Sequence, residues 1–163
     1  MLRVEQGSEY GARLITTEPL AAGQVIARLT GNRERAKPTY LSIQIGPDRH
    51  LDDLGLLSYL NHSCRPNAIV NTAERVVVAA RDVAAGEELT FFYPSTEWDM
   101  DRPFRCLCGA PECLGTVAGA RYLAPETLAR YFLNPHIRRL LAQAAGAAAP
   151  AAVIADEGRK QAE

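Results

Sequence analysis

The sequence has no apolar run of the roughly 18 residues that a membrane-spanning helix requires. Residues 1–10 carry charges where a signal peptide would have an apolar segment. An excess of basic residues is also absent, because 18 Lys and Arg stand against 19 Asp and Glu. Broad electrostatic capture of nucleic acid needs such an excess, so no direct nucleic-acid binding is expected. We expect no membrane association, and a cytoplasmic location in a bacterium or a nuclear or cytoplasmic one in a eukaryote.

Cysteine is scarce, with four residues in 163, and in a reducing compartment these thiols need a role other than disulfides. Three of them fall in the run Cys106-Leu-Cys108-Gly-Ala-Pro-Glu-Cys113. Three thiolates leave a tetrahedral zinc ion one ligand short, and Cys64 is the one cysteine that remains. The four cysteines therefore predict a zinc site. The alternative is that they are small buried residues, and for Cys64 taken alone this alternative is the better one.

Short apolar runs rich in β-branched residues, separated by turn residues, fill the first ninety positions and predict strands. The predicted strands are Arg13–Thr16, Gln24–Leu29, Tyr40–Ile45, Ala68–Thr72, Arg75–Ala80 and Glu88–Phe92. A helical apolar pattern starts at Pro125, and Pro135 is expected to break it after Asn134. Many short strands with a terminal helical segment predict a β-rich α+β domain.

Three segments of the chain carry specific motifs. Asn61-His-Ser-Cys-Arg-Pro-Asn67 resembles the NHSCxPN motif of SET-domain protein-lysine methyltransferases, and Gly86-Glu-Glu-Leu-Thr-Phe-Phe-Tyr93 resembles the GEELT-x-x-Y segment of that family. Cys106–Cys113, followed by Gly115, resembles the post-SET zinc motif. The run Tyr10-Gly11-Ala12-Arg13 lies where the family has its first cofactor loop. These segments follow in the family's order over about residues 4–116, so the resemblance covers most of the chain.

The resemblance implies a SET-domain fold, in which small curved β-sheets surround a knot-like crossing near the NHSC segment. It divides the chain into a SET domain over residues 1–95, a post-SET zinc-binding segment over 96–118 and a C-terminal helical segment over 119–145. Residues 146–163 are Ala-rich and are predicted to be a disordered tail. One structural zinc ion is expected on Cys64, Cys106, Cys108 and Cys113. With four thiolates it would have no open position for substrate or water.

The implied reaction moves a methyl group from S-adenosylmethionine to the side-chain amine of a lysine in a histone or another protein. The amine must be neutral, and an apolar channel beside a positive sulfur lowers its pKa from about 10.4. By resemblance, Tyr93 orients this amine, and Tyr40 and Phe91 line the lysine channel. The residues predicted to contact the cofactor are Tyr10, Gly11, Ala12, Arg13, Asn61, His62 and Tyr93.

The chain departs from the family pattern at several positions. Glu9 stands where many members have a glycine, Ser58 and Tyr59 where they often have Arg-Phe, and Phe92 where an aspartate often precedes the tyrosine. Two alternatives to an enzyme remain. The first is a SET-fold module that binds protein tails without turnover, which a turnover measurement would distinguish. The second is a small zinc adaptor without a cofactor site, which leaves the NHSC segment and Tyr93 unexplained.

Overall fold

The computed structural model describes residues 1–8, 10–30 and 33–148, so Glu9 lies outside the described part of the chain. The strands are β1 (Leu2–Ser8), β2 (Gly11–Thr16), β3 (Val25–Arg28), β4 (Arg33–Arg35), β5 (Ile43–Gly46), β6 (Arg49–Asp52), β7 (Asn61–His62), β8 (Ala68–Asn71), β9 (Val76–Ala79), β10 (Thr90–Phe91), β11 (Phe104–Arg105) and β12 (Thr116–Val117). The helices are α1 (Pro125–Leu128) and α2 (Pro135–Ala148). In this part of the chain, no helix has the length and apolar character needed to cross a membrane.

The strands form small sheets of two or three members. The sheets are β1-β2, β3-β9-β8, β4-β6-β5, β7-β10 and β11-β12. Every pair is antiparallel except β7 with β10, in which His62 lies opposite Phe91. Parallel partners need a long connection between them, and here that connection contains β8 and β9. The motifs Asn61–Asn67 and Gly86–Tyr93 therefore lie side by side, and the predicted β-rich α+β architecture is confirmed.

The NHSC segment passes between parts of the chain that are distant in sequence. On one side, the side-chain amide of Asn61 donates a hydrogen bond of 2.8 Å to the carbonyl of Ala12 in β2. On the other side, the Ser63 amide donates one of 3.1 Å to the carbonyl of Phe91 in β10. Directed hydrogen bonds thus join the NHSC segment to β2 on one side and to β10 on the other, and they fix the positions of the residues between these two strands.

Two of the three apolar clusters in the described residues support this arrangement. The larger core has fully buried Leu14, Leu51, Val77 and Leu89 among its members and lies between the sheets of the N-terminal region. The smaller core joins the C-terminal helices to the segment after β10 and contains Phe92, Ala120, Leu128 and Ile137. Phe92 also stacks on the Tyr131 ring, with 3.6 Å between the ring centroids. An aspartate at position 92 would leave this apolar surface uncovered, so Phe92 serves to attach the C-terminal segment.

The predicted strand Tyr40–Ile45 is wrong at its start, because β5 begins at Ile43. Tyr40 instead lies in a turn. The Ser42 hydroxyl accepts a hydrogen bond of 2.8 Å from the Thr39 amide, and the Ser42 amide donates one of 3.2 Å to the Thr39 carbonyl. A serine that bonds to nearby backbone groups competes with strand pairing, which explains why the apolar pattern alone misplaced Tyr40.

At the C-terminal end, the predicted break before Pro135 is confirmed, since α2 starts at that residue. The Asn134 side chain holds the backbone in place just before α2, because its amide donates hydrogen bonds of 2.9 Å to the carbonyls of Val70 and Ser95. Helix α2 continues to Ala148, past the expected boundary at residue 145. Residues 149–163 of the expected tail lie outside the described residues, so their disorder stays a prediction.

Candidate active site and cysteine cluster

A cleft of about 300 Å³ lies between the turn that carries Tyr40, the NHSC segment and the stretch Met100–Leu107. Tyr10, Tyr93 and Glu97 also line it. This volume is within the range of sites that bind small molecules. Five of the predicted site residues meet in the cleft, namely Tyr10, Tyr40, Asn61, His62 and Tyr93.

Tyr93 begins a 3₁₀ turn, Tyr93–Ser95, directly after β10. Its hydroxyl donates a hydrogen bond of 2.8 Å to the Leu60 carbonyl. Burial is the main reason why the pKa of Tyr93 lies above its ordinary value, and the nearby Tyr40 side chain raises this pKa further. The hydroxyl is therefore neutral, and its hydrogen is already used. Its oxygen lone pairs remain available to a group that enters the cleft.

His62 connects Tyr93 to the cysteines. Its Nδ1 accepts a hydrogen bond of 3.2 Å from the Tyr93 amide, so the ring hydrogen is on Nε2, which lies 3.3 Å from the Cys64 Sγ. Burial lowers the pKa of His62 to about 4, and the ring is neutral at physiological pH. A neutral ring with one fixed tautomer can accept from the Tyr93 amide and donate to the Cys64 sulfur at the same time.

The Asn61 amide is held on both sides. Its Nδ2 donates to the Ala12 carbonyl and to the Glu88 carboxylate, both at 2.8 Å. Its Oδ1 accepts no hydrogen bond from any described residue. A ligand in the cleft can therefore donate to a carbonyl oxygen whose position is already fixed.

The predicted first cofactor loop reaches the cleft only through Tyr10. The Tyr10 hydroxyl accepts a hydrogen bond of 2.7 Å from the Leu107 amide, and burial raises the pKa of Tyr10 to about 12. Gly11 adopts a φ of +94°, which favours glycine, and Ala12 contributes its carbonyl to Asn61. Arg13 pairs with Glu5 of the neighbouring strand at 2.9 Å. Gly11, Ala12 and Arg13 do not line the cleft.

The predicted channel residues Tyr40 and Phe91 have different surroundings. Tyr40 is 68% exposed and lines the cleft, with the Arg102 guanidinium 5.4 Å from the centre of its ring. Phe91 is 4% exposed and belongs to the larger core, with its ring centroid 4.7 Å from that of Tyr93. It does not line the cleft. Phe91 therefore supports the Tyr93 ring by packing, and a direct contact between Phe91 and a substrate stays a prediction.

The four cysteines form a compact cluster beside the cleft. Their Sγ atoms all lie within 4.8 Å of one another, and those of Cys64 and Cys106 are 3.9 Å apart. Tetrahedral zinc with Zn–S bonds of about 2.3 Å places its sulfur atoms about 3.8 Å apart. None of the four forms a disulfide. The donor set and spacing thus fit a zinc ion, as the sequence predicts.

Hydrogen-bond donors surround the sulfur atoms. The Leu114 amide lies 3.4 Å from the Cys64 Sγ, and the Gly115 amide lies 3.5 Å from that of Cys113. The Tyr10 hydroxyl lies 3.8 Å from the Cys106 Sγ. Burial raises the pKa of the Cys64 thiol, so it stays protonated unless a cation is bound beside it. Donors of this kind stabilise the thiolates of a metal site and orient them.

Glu97 was missed by the sequence analysis. It follows the turn that carries Tyr93, lines the cleft and is 8% exposed. Its Oε1 accepts hydrogen bonds from the Gln44 amide at 2.9 Å and the Thr96 hydroxyl at 3.0 Å. Burial raises the pKa of Glu97 to about 7. Its nearness to Tyr93 in the sequence is the one signal that could have drawn attention to it.

The sequence profile of the SET domain matches residues 11–94. Methyltransferase flvH of Aspergillus flavus is 40% identical over 141 residues, which cover 85% of this chain and 79% of that protein. The chain belongs to the SET-domain family. A histone-lysine N-methyltransferase of Candida albicans, described as H3 lysine-4 specific, is 33% identical over 126 residues, or 63% of this chain and 12% of that protein.

Solved SET-domain structures share the architecture. KRYPTONITE, crystallised with mCHG DNA and SAH, matches with a TM-score of 0.58 at 25% identity, over 71% of this chain and 28% of that one. The methyltransferase domain of human SETMAR matches with a TM-score of 0.52 at 17% identity and shows the fold alone. The predicted SET-domain fold is confirmed. Membership of this family supports a methyltransferase activity. This SET-domain protein spans most of flvH but about an eighth of the Candida protein.

Proposed function

We propose that this SET-domain protein transfers methyl groups from S-adenosylmethionine to the side-chain amine of a lysine in a protein substrate. The observation that carries the proposal is the meeting of Tyr93, Asn61, His62 and Tyr10 in one cleft. S-adenosylmethionine supplies a methyl group bound to a positive sulfur. Asn61, His62 and Tyr10 would hold it, with the free Oδ1 of Asn61 accepting from its polar groups.

The chain's own contribution is alignment and electrostatics. The Tyr93 oxygen, fixed by the bond from its hydroxyl to the Leu60 carbonyl, presents lone pairs to an incoming amine. The leucines at positions 54, 57 and 60 give the cleft apolar walls, which disfavour a charged amine. Holding two reacting groups in a fixed geometry provides much of the rate enhancement of a bimolecular transfer.

The substrate class rests on the relatives. Several relatives are histone-lysine N-methyltransferases, and one KRYPTONITE structure contains an H3(1–15) peptide. The flvH relative, of which this chain covers far more, is described only as a methyltransferase. We therefore propose a histone or another protein as the acceptor. KRYPTONITE was crystallised with DNA. Basic and acidic residues are nearly balanced in this chain, so we still predict that it does not bind nucleic acid directly.

Zinc is the second proposed component. The four cysteines would hold one ion that has no open coordination position, so its role is structural. It would join the stretch Cys106–Cys113 to the NHSC segment through Cys64. That connection closes one wall of the cleft, since Arg105 and Leu107 on either side of Cys106 line it.

The test is transfer of labelled methyl from S-adenosylmethionine to histones and to fractionated cell lysate. We expect label on lysine, a loss of about 100-fold or more in Tyr93→Phe, and a raised KM for the cofactor in Asn61→Ala. Tyr122→Phe is the matched control, because Tyr122 is exposed and its hydroxyl bonds to Asp99 away from the cleft. Cofactor binding without transfer to any acceptor would favour the module that binds protein tails. A protein that binds no cofactor would refute the proposal.

A further inference from the structure

Glu97 is a buried carboxyl that the function proposed above does not use. It lies four residues after Tyr93, and its amide donates a hydrogen bond of 2.9 Å to the Tyr93 carbonyl. The two side chains are thus held on one short turn and line the same cleft. Any amine that reaches the Tyr93 hydroxyl therefore enters a cleft that also contains a carboxyl group.

The two oxygens of Glu97 have different surroundings. Oε1 accepts bonds from the Gln44 amide and the Thr96 hydroxyl. Oε2 accepts none from any residue in the described ranges. The structural role, which ties β5 to the turn after β10, needs only Oε1, and a glutamine would perform it. A carboxylate is the more costly choice in a buried position, so its second oxygen calls for a separate explanation.

Nothing in the described part of the chain neutralises this carboxyl. The pKa of Glu97 responds to burial first and then to the bonds from the Gln44 amide and the Thr96 hydroxyl, and to no charged side chain of the described residues. Among the basic groups near it, the His136 ring bonds to the Thr96 carbonyl, and Arg102 lines the same cleft. Burial lowers the pKa of both His50 and His136, so neither is a cation at neutral pH. Arg102 is exposed and interacts with Asp101 and with the Tyr40 ring. A buried carboxylate without a partner strongly favours binding a cation or a proton.

We propose that Glu97 binds the ammonium group of the substrate lysine through Oε2 and accepts one of its protons before methyl transfer. The inference rests on the proposed function, because it names the group that prepares the acceptor amine. In this step an N–H bond of the ammonium breaks, an O–H bond forms on Oε2, and the electron pair stays on nitrogen. The products are a neutral amine and a neutral carboxylic acid, a pair that a dry cleft favours over two ions.

The acidity of Glu97 suits this role. Burial raises its pKa to about 7, so near neutral pH it can both hold a proton and release it. Free lysine, with a pKa of about 10.4, is almost wholly protonated at that pH. A carboxyl with an ordinary pKa would bind the ammonium but leave the proton on nitrogen, where it blocks transfer.

The first test is Glu97→Gln, which keeps the acceptor for the Gln44 amide. At pH 7.5, with histones as acceptor, we expect kcat/KM to fall about 100-fold, while the KM for S-adenosylmethionine is unchanged. The defect should shrink to less than about tenfold at pH 9.5, because more of the lysine is then neutral without help. A purely structural role would give a defect that does not depend on pH. An unchanged pH 7.5 rate, or a raised cofactor KM, would overturn the inference.

The second test does not require turnover. Amide NMR at pH 8 would follow the Gln44 and Glu97 signals during titration with n-butylammonium and, separately, with the neutral n-butanol. In wild type we expect the cation to bind at least about fivefold more tightly, and in Glu97→Gln the preference should disappear. Equal binding of the two probes in wild type would refute the inference. If histones receive no methyl but the cation preference is present, the proposed function fails while the amine site stands.

Discussion

Among the glycines that the structure describes, Gly119 is the one whose replacement should be most destabilising. Its φ is +121°, in a region of backbone space that is essentially limited to glycine and costs other residues of order 1–3 kcal/mol. A Cβ at this position would also lie 2.4 Å from the Trp98 carbonyl oxygen and 2.7 Å from its carbon. Both are backbone atoms, so the contact can be relieved only by moving the chain. Gly119→Ala should therefore combine strain with a steric clash.

The backbone that this substitution would displace is hydrogen-bonded to Glu97 and Trp98, which follow the turn that carries Tyr93. Just after Gly119, the Ala120 amide donates a hydrogen bond of 2.8 Å to the Glu97 carbonyl, and the Arg121 amide donates one of 3.2 Å to that of Trp98. Strain, clash and weakened hydrogen bonds together give an expected loss of about 3–5 kcal/mol. For a domain of this size that lowers the Tm by roughly 6–20 °C.

Gly23→Ala is the matched control. Gly23 also has a positive φ, of +80°, but nothing lies within 4 Å of a Cβ built there. It should lose only about 1–2 kcal/mol from backbone strain. Thermal and urea denaturation of both variants and the wild type measure the difference. If Gly119→Ala loses no more stability than Gly23→Ala, the close approach of Gly119 to Trp98 is refuted.

Three further predictions concern the metal site and the C-terminal core. Metal analysis should find one zinc ion per chain, with most of it lost in Cys108→Ser, and chelation should lower the Tm; a purified, active protein without zinc would refute the site. Tyr10→Phe removes the hydroxyl beside the Cys106 Sγ and should weaken zinc binding about tenfold in a competition assay, whereas unchanged affinity would exclude that contribution. Phe92→Ala should lose about 3–5 kcal/mol because it removes a buried ring stacked on Tyr131, and a loss below about 1 kcal/mol in urea denaturation would contradict that packing.

The motifs could be predicted from the sequence because their chemistry depends on residue types at fixed spacing. Cysteine is rare enough that four residues point to one centre, and the pairing of β7 with β10 brings the NHSC segment to Tyr93 as the resemblance implies. Polar strands such as β4 (Arg33–Arg35) could not be found, since all three residues are exposed and carry no apolar alternation. Glu97 could not be identified either. Its burial depends on contact with Gln44, which is far away in sequence.

The positions of Tyr93 and the cysteines connect the stretch Cys106–Cys113 to the candidate active site. The Tyr93 amide bonds to His62, and the other nitrogen of that ring faces the Cys64 sulfur. A metal ion that makes Cys64 a thiolate also gives the His62 Nε2 hydrogen a charged acceptor, which strengthens that bond and fixes the ring tautomer. The tautomer in turn leaves Nδ1 able to accept from the Tyr93 backbone. A structural ion without an open coordination position would thus influence the proposed reaction, because it would hold the backbone of Tyr93, the residue that we propose positions the amine.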